Sequence, residues 1–209
     1  MSSQQKPEPE PGKALDPTTD DERTARANGQ SPTRTVSEPS TRAKDSRTAH
    51  PGNTRTVLAH WMGVADANTS GDVHGGTIMK LVDEAAGVAA VRHAHCRVVT
   101  ASMDRMSFLV PIKIGQLVTF NATVNAAWNT SMEIGVSVVA EEPSSGEVWH
   151  ASSAYLTFVA LDADGRPTKV PELVPVTAED ERRRREAELR RAIRLAERQQ
   201  IEHGRQSEP

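Results

Sequence analysis

The stretch Gly71-Asp72-Val73-His74-Gly75-Gly76 leads directly into a segment whose apolar residues recur at steps of three and four. This spacing places them along one side of a helix that begins near Gly75 and runs to Val91. Because Ala and Gly crowd the segment, we expect the helix to be largely buried, with Gly87 allowing another backbone to approach. Its apolar positions are Ile78, Leu81, Val82, Ala85, Val88 and Ala89.

The entrance of this helix is suited to chemistry on a carbonyl group. The first N–H groups of a helix lack internal partners and favour oxyanions, and glycines let a ligand approach them. Asp72 stands before the entrance and Asp83 follows Gly76 by seven residues, so two carboxylates accompany these donors. Taken singly, Asp72 is explained as a helix cap or turn residue and Asp83 as a solvent-facing helical acid.

The residues after His95 alternate between apolar and polar side chains, which predicts half-buried antiparallel strands. A mostly apolar run, residues 57–65, precedes the helix and is also interpreted as a strand. This layout favours an α+β fold in which one curved antiparallel sheet wraps one long central helix. The strands predicted after the helix cover residues 98–103, 106–110, 118–126, 132–138 and 148–160.

Three segments flank this domain, which we assign to residues 56–162. Residues 1–55 contain no aromatic residue and too few apolar ones to offset chain entropy, so they are predicted to form a disordered tail. A linker punctuated by prolines spans residues 163–176. A charged helix follows over residues 177–203, where Thr177 and Asp180 resemble a capping box.

The composition argues against several classes of protein. The chain has 25 Lys and Arg against 28 Asp and Glu, a net charge of −3, so neither nucleic acid nor a membrane is an expected partner. The start lacks the features of a secretory signal and no apolar run approaches the ~20 residues of a membrane span, so a cytoplasmic location is expected. The single cysteine, Cys96, excludes an intramolecular disulfide and a cysteine-based zinc cage, and no metal site is predicted.

Five segments in order resemble the hot-dog-fold acyl-CoA thioesterases, specifically the cytosolic long-chain acyl-CoA hydrolases of fatty acid metabolism. The resemblance extends over roughly residues 56–200, and five ordered matches within one domain are far more specific than a single His-Gly-Gly. The matching segments are 71–77, 80–87, 99–104, 108–111 and 130–134.

The resemblance implies catalytic roles for the residues around the helix entrance. In this family two hot-dog units pair, and an Asn or Asp before the His-Gly-Gly of one unit works with an acidic residue on the central helix of the other. Asp72 and Asp83 stand at those positions, and both occur in the single unit of this chain, which implies a homodimer at least; the family often forms trimers of dimers. Gly75 or Gly76 supplies the N–H donor, and His74 orients the loop or, less in keeping with the motif, transfers a proton.

Helix geometry is consistent with a shared site. Asp83 lies roughly 12 Å along the axis from the helix entrance, because each helical residue adds about 1.5 Å. One chain cannot easily bring Asp72 and Asp83 to the same carbonyl group, whereas two antiparallel helices related by a two-fold axis can. Which of the two acids serves as base, nucleophile or positioning group stays open.

The resemblance also implies where coenzyme A binds. Two segments correspond to the stretches that hold it in this family, and Arg190 and Arg191, with Arg194, are weaker candidates for its phosphates. The alternative for these arginines is a solvated helix face held by i,i+4 pairs with glutamates. The two segments are Ala101-Ser102-Met103 and Thr130-Ser131-Met132.

The function expected from these features is hydrolysis of acyl-CoA to a free fatty acid and coenzyme A, with no cofactor because coenzyme A is part of the substrate. An alternative is a non-catalytic acyl-CoA sensor on the same fold, since a fold does not determine a function. A third, less favoured, is a hot-dog dehydratase acting on acyl thioesters, which needs an Asp and His pair in a hydratase motif that the sequence lacks.

Overall fold

The computed structural model describes residues 48–207. The N-terminal part consists of strand β1 (Thr48–Ala49), the short helix α1 (Pro51–Thr54), strand β2 (Thr56–Trp61), a 3-10 turn (Val64–Asp66) and the long helix α2 (Gly75–Ala94). Four strands follow, β3 (Arg97–Met103), β4 (Leu117–Ala127), β5 (Ser131–Glu142) and β6 (Glu147–Leu161). The short strand β7 (Glu172–Leu173) and the helix α3 (Ala178–Ser207) end the described part of the chain.

Five strands form one antiparallel sheet in the order β2-β4-β5-β6-β3, so β2 and β3 are its edges. The predicted period-two segments therefore pair as expected, with β4, β5 and β6 joined by short turns. A separate two-stranded parallel sheet is formed by β1 and β7. Within residues 48–207, no helix combines the length and apolarity needed to cross a membrane.

Helix α2 packs against one face of this sheet and supplies part of the core. Its small side chains let the sheet approach closely, since alanines add little width to a helix. The facing residues of the sheet are fully buried as well, among them Phe120, Ile134 and Leu156. The predicted buried central helix wrapped by a curved antiparallel sheet, the hot-dog fold, is confirmed. The buried positions of α2 include Ile78, Val82, Ala85, Ala86, Ala89 and Ala90.

Helix α3 lies on the opposite face of the sheet. It begins with the predicted capping box: the Thr177 N–H donates to Asp180 Oδ2 and the Asp180 N–H donates to Thr177 Oγ1, both at 3.1 Å. Its own residue Ala187 is fully buried, and its arginines reach the sheet at Glu133. The sheet is therefore covered on both faces.

The predicted strand at 106–110 is wrong. After Met103 the chain leaves regular pairing, and only Asp104 and Leu109 donate main-chain bonds to β6, at Tyr155 and Ala151. The apolar pattern there has a different cause, since Phe108, Leu109 and Val110 line a cleft instead of filling the core.

The chain is ordered earlier than the composition predicted. Residues 1–47 of the predicted tail lie outside the described residues, but 48–54 form β1 and α1. Hydrogen bonds hold these polar residues in place: Thr54 Oγ1 donates to the Pro51 carbonyl and accepts the Val124 N–H. The stretch assigned as linker likewise contains β7 and the buried Val170.

Candidate active site

The loop before α2 is organised by Asn68. Its Oδ1 accepts the N–H of Ser70 at 2.8 Å and that of Asp72 at 3.2 Å, while its own N–H donates to the Asp72 carbonyl at 2.7 Å. Gly71 completes the turn at a φ of 85°, in the region that favours glycine. With Oδ1 occupied, the Nδ2 amide of Asn68 donates to no acceptor in the described part of the chain and remains for a ligand.

The two glycines at the entrance of α2 have different roles. The Gly76 N–H donates to Nδ1 of His74, the residue that caps the helix, at 2.8 Å. A Cβ atom on Gly76 would lie 2.9 Å from that nitrogen, so only glycine leaves space for the imidazole. Because Nδ1 accepts, the neutral ring carries its proton on Nε2. The Gly75 N–H has no acceptor among residues 48–207 and is the donor left for an oxyanion.

A cleft of about 340 Å³ lies beside this entrance. One side of it is polar, formed by Asn68, Asp72 and the Gly75 backbone. The other side is apolar and is formed by Ile78 and residues 108–112, with the Phe108 ring 3.4 Å from where a Gly75 Cβ would stand. The cleft thus joins hydrogen-bond donors to a surface that suits a hydrocarbon chain.

Asp72 is held by an ion pair. Lys113 Nζ lies 2.5 Å from Asp72 Oδ1, and the backbones of the two residues form an isolated antiparallel bridge. The pair ties the site loop to the segment that follows the apolar wall. The carboxylate is thus engaged in holding the loop.

Asp83 lies in the middle of α2 and outside that cleft. Its Oδ1 accepts a 2.7 Å hydrogen bond from the hydroxyl of Thr100 on the edge strand β3. It shares one side of the helix with the exposed Met79, one turn earlier. One chain therefore provides Asp72 and Asp83 at separate places, as the helix geometry predicted.

The residues predicted to bind coenzyme A lie on either side of β6. Ser102 pairs with Thr157 and Ser131 with Val159, so the two groups are two strands apart, about 10 Å. Ala101 and the 130–131 turn are accessible, whereas Met132 is fully buried and has only its backbone to offer.

The neighbouring arginines Arg190 and Arg191 point to different partners. Arg190 Nη2 lies 2.6 Å from Oε1 of the fully buried Glu133, and its guanidinium stacks 3.6 Å from the Tyr155 ring centroid. The interpretation of the arginines as one solvated face is therefore wrong for Arg190. Arg191 stays exposed over the Trp128 ring, at 4.6 Å, with no carboxylate partner in the described chain.

Asp66 also stabilises the loop before α2. Asp66 accepts the Gly63 N–H at 2.8 Å and lies 3.2 Å from His60 Nε2, and its carbonyl accepts the His74 N–H. The hydrogen bond from the Gly63 N–H lowers the pKa of the Asp66 carboxyl below its ordinary value. The hydrogen bond and the charge of His60 add to this effect, and burial of the carboxyl opposes it. Nowhere in residues 48–207 do three His, Cys, Asp or Glu side chains form a metal-binding group.

Sequence reasoning missed Asn68, Thr100 and Lys113. Asn68 stands in the turn-rich run Asp66-Ala67-Asn68-Thr69-Ser70-Gly71, where an Asx turn is a recognisable signal. Thr100 lies in a segment that was already singled out. Lys113 carries no local signal, because its contact with Asp72 bridges two distant loops.

A family model and a known relative match this chain. The thioesterase superfamily model matches residues 70–147. The cytosolic acyl coenzyme A thioester hydrolase of Rattus norvegicus is 39% identical over 148 residues, which are 70% of this chain and 39% of that protein. The chain thus spans well under half the length of that relative.

Solved structures cover the domain almost completely. An acyl-CoA hydrolase from Staphylococcus aureus, solved with butyryl coenzyme A, coenzyme A and coenzyme A disulfide, superposes with a TM-score of 0.67 at 32% identity, over 75% of this chain and 98% of that one. Three single variants of it have also been solved, in which alanine replaces an aspartate, a threonine or an asparagine. A hexameric acyl-CoA thioesterase gives a TM-score of 0.70 at 31% identity, over 72% and 96% of the two chains. The chain belongs to the thioesterase superfamily and has its hot-dog fold.

Proposed function

We propose that this chain hydrolyses acyl-CoA to a free fatty acid and coenzyme A at a site shared between two protomers. The observation that carries the proposal is the cleft in which the unpartnered Gly75 N–H and the Asn68 amide face an apolar wall. We propose a cytoplasmic location for the protein on the precedent of the relatives that are named cytosolic. No cofactor takes part in the proposed reaction.

The proposed reaction needs a donor for the developing oxyanion and a base for water. The thioester oxygen accepts hydrogen bonds from the Gly75 N–H and Asn68 Nδ2, while the acyl chain lies along Phe108 and Leu109. The Asp83 of a second protomer takes a proton from the attacking water. The new bond forms between the water oxygen and the carbonyl carbon, the C–S bond breaks, and the coenzyme A thiolate leaves and is protonated.

The choice of Asn68 as the polar partner is supported by spacing. The asparagine, aspartate and threonine replaced in the Staphylococcus aureus hydrolase stand in the same order and at the same sequence separations as Asn68, Asp83 and Thr100. In this proposal Asp72 holds the loop through Lys113, so the polar role first expected of Asp72 passes to Asn68. Asp83 keeps the role of base, oriented by Thr100.

A dimer through β3 is supported by the surface around Asp83. As an edge strand, β3 offers unpaired backbone groups on its outer side, which attract a further strand. The exposed Met79 and Val99 provide apolar surface next to it. We therefore propose a homodimer as the catalytic unit, with a trimer of dimers as the larger assembly on the precedent of the hexameric thioesterase.

Coenzyme A is proposed to bind along the half-buried 130–131 turn and Ala101-Ser102-Met103. Arg191, stacked on Trp128 beside that turn, is the proposed phosphate ligand, because its charge is not committed to a carboxylate. Arg190 is assigned to the sheet, where its charge neutralises Glu133.

The test is release of free thiol from butyryl-CoA and palmitoyl-CoA, followed with a thiol reagent. We expect turnover by the wild-type protein, unchanged after dialysis against a chelator, and its loss in Asn68→Ala and Asp83→Asn. Glu84→Gln is the matched control, since Glu84 adjoins Asp83 but pairs with Lys80 at the surface. Tight acyl-CoA binding without thiol release would instead identify a sensor, and addition or loss of water at the β-carbon a dehydratase.

A further inference from the structure

The apolar wall of the cleft belongs to a segment outside the sheet ladder. Residues 104–111 follow β3 and are attached to β6 by three hydrogen bonds: the Asp104 N–H to the Tyr155 carbonyl at 2.9 Å, the Ser152 hydroxyl to the Ser107 carbonyl at 2.9 Å, and the Leu109 N–H to the Ala151 carbonyl at 3.0 Å. Because the segment has so few attachments, the position of this wall depends on the contacts that hold its first residue, Asp104.

The carboxylate of Asp104, at the root of this segment, is held by α3. Arg194 Nη1 donates to Asp104 Oδ2 at 2.7 Å, and both side chains are largely buried. In the described chain the Asp104 carboxylate contacts no other charged group. Arg105 adds a longer, exposed contact of 3.8 Å to Glu197, one turn further along the helix.

Arg194 also contacts a second carboxylate, that of Glu133. Its Nη1 also lies 3.3 Å from Oε2 of Glu133, which is fully buried in β5. Arg190 donates to both oxygens of Glu133, most closely to Oε1, and stacks on Tyr155, whose carbonyl accepts the Asp104 N–H. The two arginines, Glu133 and Asp104 thus form one connected network, in which each acid is paired with a guanidinium.

From this geometry we infer that Arg194 is a positioning residue for the acyl chain, acting through Asp104 on the wall formed by Phe108, Leu109 and Val110. The inference rests on the proposed thioesterase function and deepens it, because it assigns to α3 a part in selecting the acyl group. Phe108, whose ring lies against Gly75, follows Asp104 by four positions. Release of Asp104 therefore lets the wall move relative to the oxyanion donor.

The inference predicts a change in substrate selection, since Arg194 contacts neither Gly75 nor Asn68. Arg194→Met keeps the aliphatic stem and removes the charge. With palmitoyl-CoA we expect kcat/KM to fall by about tenfold, mainly through KM, because small displacements of a substrate-positioning surface have effects of this order or more. With acetyl-CoA, whose acyl group hardly reaches the wall, the change is expected to be less than about twofold on the same argument. Arg194→Lys should recover part of the loss.

Two further measurements separate positioning from general destabilisation. Amide hydrogen exchange in the peptide covering residues 104–112 should speed up in Arg194→Met, while exchange in the middle of α2 stays unchanged. Arg198→Met is the matched control, because Arg198 lies one turn further along α3 and, within residues 48–207, pairs only with Glu202 at the surface. Asp104→Asn should reproduce both effects and be non-additive with Arg194→Met.

The result that overturns the inference is an Arg194→Met protein with wild-type exchange over residues 104–112 and equal losses for all chain lengths. If Arg194→Met does not fold, Asp104→Asn decides the same question, because it leaves Glu133 paired with both arginines. The exchange measurement also needs no turnover. Absence of hydrolysis in the wild-type protein, with faster exchange in the variant, would reject the proposed function and keep the mechanical coupling.

Discussion

The hydroxyl of Thr100 donates a 2.7 Å hydrogen bond to Oδ1 of Asp83, which joins the edge strand β3 to the middle of the central helix. In the proposed shared site the carboxylate of Asp83 needs a fixed orientation, and this bond provides it. Thr100→Val keeps the shape of the side chain and removes the donor. We expect kcat to fall by about tenfold, since hydrogen bonds to charged groups are worth about 1.5–3 kcal/mol, and Thr100→Ser to retain most activity. Steady-state hydrolysis of palmitoyl-CoA measures both; an unchanged kcat in the valine variant would contradict the assignment.

Subunit mixing tests the shared site. Asn68→Ala and Asp83→Asn should each be inactive as pure proteins, because every site lacks one of its two partners. After exchange of subunits by random pairing, about a quarter of all sites in a two-fold dimer regain both groups. Thiol release by the mixture, compared with the sum of the separate variants, measures the recovery. No recovery despite exchange demonstrated with tagged subunits would rule out the shared site.

Asp72 and Asn68 are expected to differ in what they support. Asp72→Asn removes the ion pair with Lys113 and should lower activity less than Asn68→Ala does, because Asp72 holds the loop whereas Asn68 lines the cleft proposed to bind the thioester. Lys113→Met, which leaves the carboxylate in place, should resemble Asp72→Asn. Comparison of kcat/KM for the three variants checks this order. A larger loss in Asp72→Asn than in Asn68→Ala would return the catalytic role to Asp72.

The two glycines of the helix entrance should respond differently to alanine. In Gly76→Ala the new methyl group would lie 2.9 Å from His74 Nδ1 and displace the capping ring, so stability should fall by about 1 kcal/mol, the usual worth of an N-cap. In Gly75→Ala the methyl group meets only the edge of Phe108 at 3.4 Å, so folding should persist while the cleft narrows and kcat/KM falls. Thermal melts and kinetics of both variants distinguish the effects. Equal melting temperatures for Gly76→Ala and the wild-type protein would contradict the capping role of His74.

His93 should make stability depend on pH. Its ring is fully buried at the end of α2, with Nε2 donating to the Pro171 carbonyl at 2.9 Å and Nδ1 without a partner in the described chain. Burial lowers the pKa of His93, against the opposing effect of the Pro171 hydrogen bond. The unfolded chain therefore takes up a proton at about pH 6.5 that the folded protein resists, and the free energy of unfolding falls as the pH drops below that value.

His93→Gln is the matched variant for this effect, because its amide can keep the bond to Pro171 but does not titrate. Urea unfolding at about pH 7.5 and about pH 5.5 should show a smaller difference for the variant than for the wild-type protein, since histidine is the side chain that titrates in this window. Equal differences in the two proteins would show that other groups set the pH dependence.

Much of the fold could be predicted because its signals are local. The helix from Gly75 is encoded by three- and four-residue spacing, β4 and β5 by alternation of apolar and polar residues, and β6 by the turn that precedes it. The failures occurred where side chains serve a distant partner. Phe108 to Val110 look like a strand but line the cleft, and Arg190, which reads as part of a solvated arginine run, neutralises a buried glutamate 57 positions earlier.

For the site, the sequence by itself determined the His-Gly-Gly entrance, the two acids and the family they indicate, because these depend on residue type and spacing along one helix. Only the tertiary structure decided which donors are free. His74 occupies the Gly76 N–H and leaves that of Gly75, Lys113 occupies Asp72, and the Asx turn leaves the amide of Asn68 facing the cleft. A donor is free only if no nearby acceptor takes its hydrogen bond. Which acceptors are nearby depends on how the loops pack, and local sequence patterns do not contain that information.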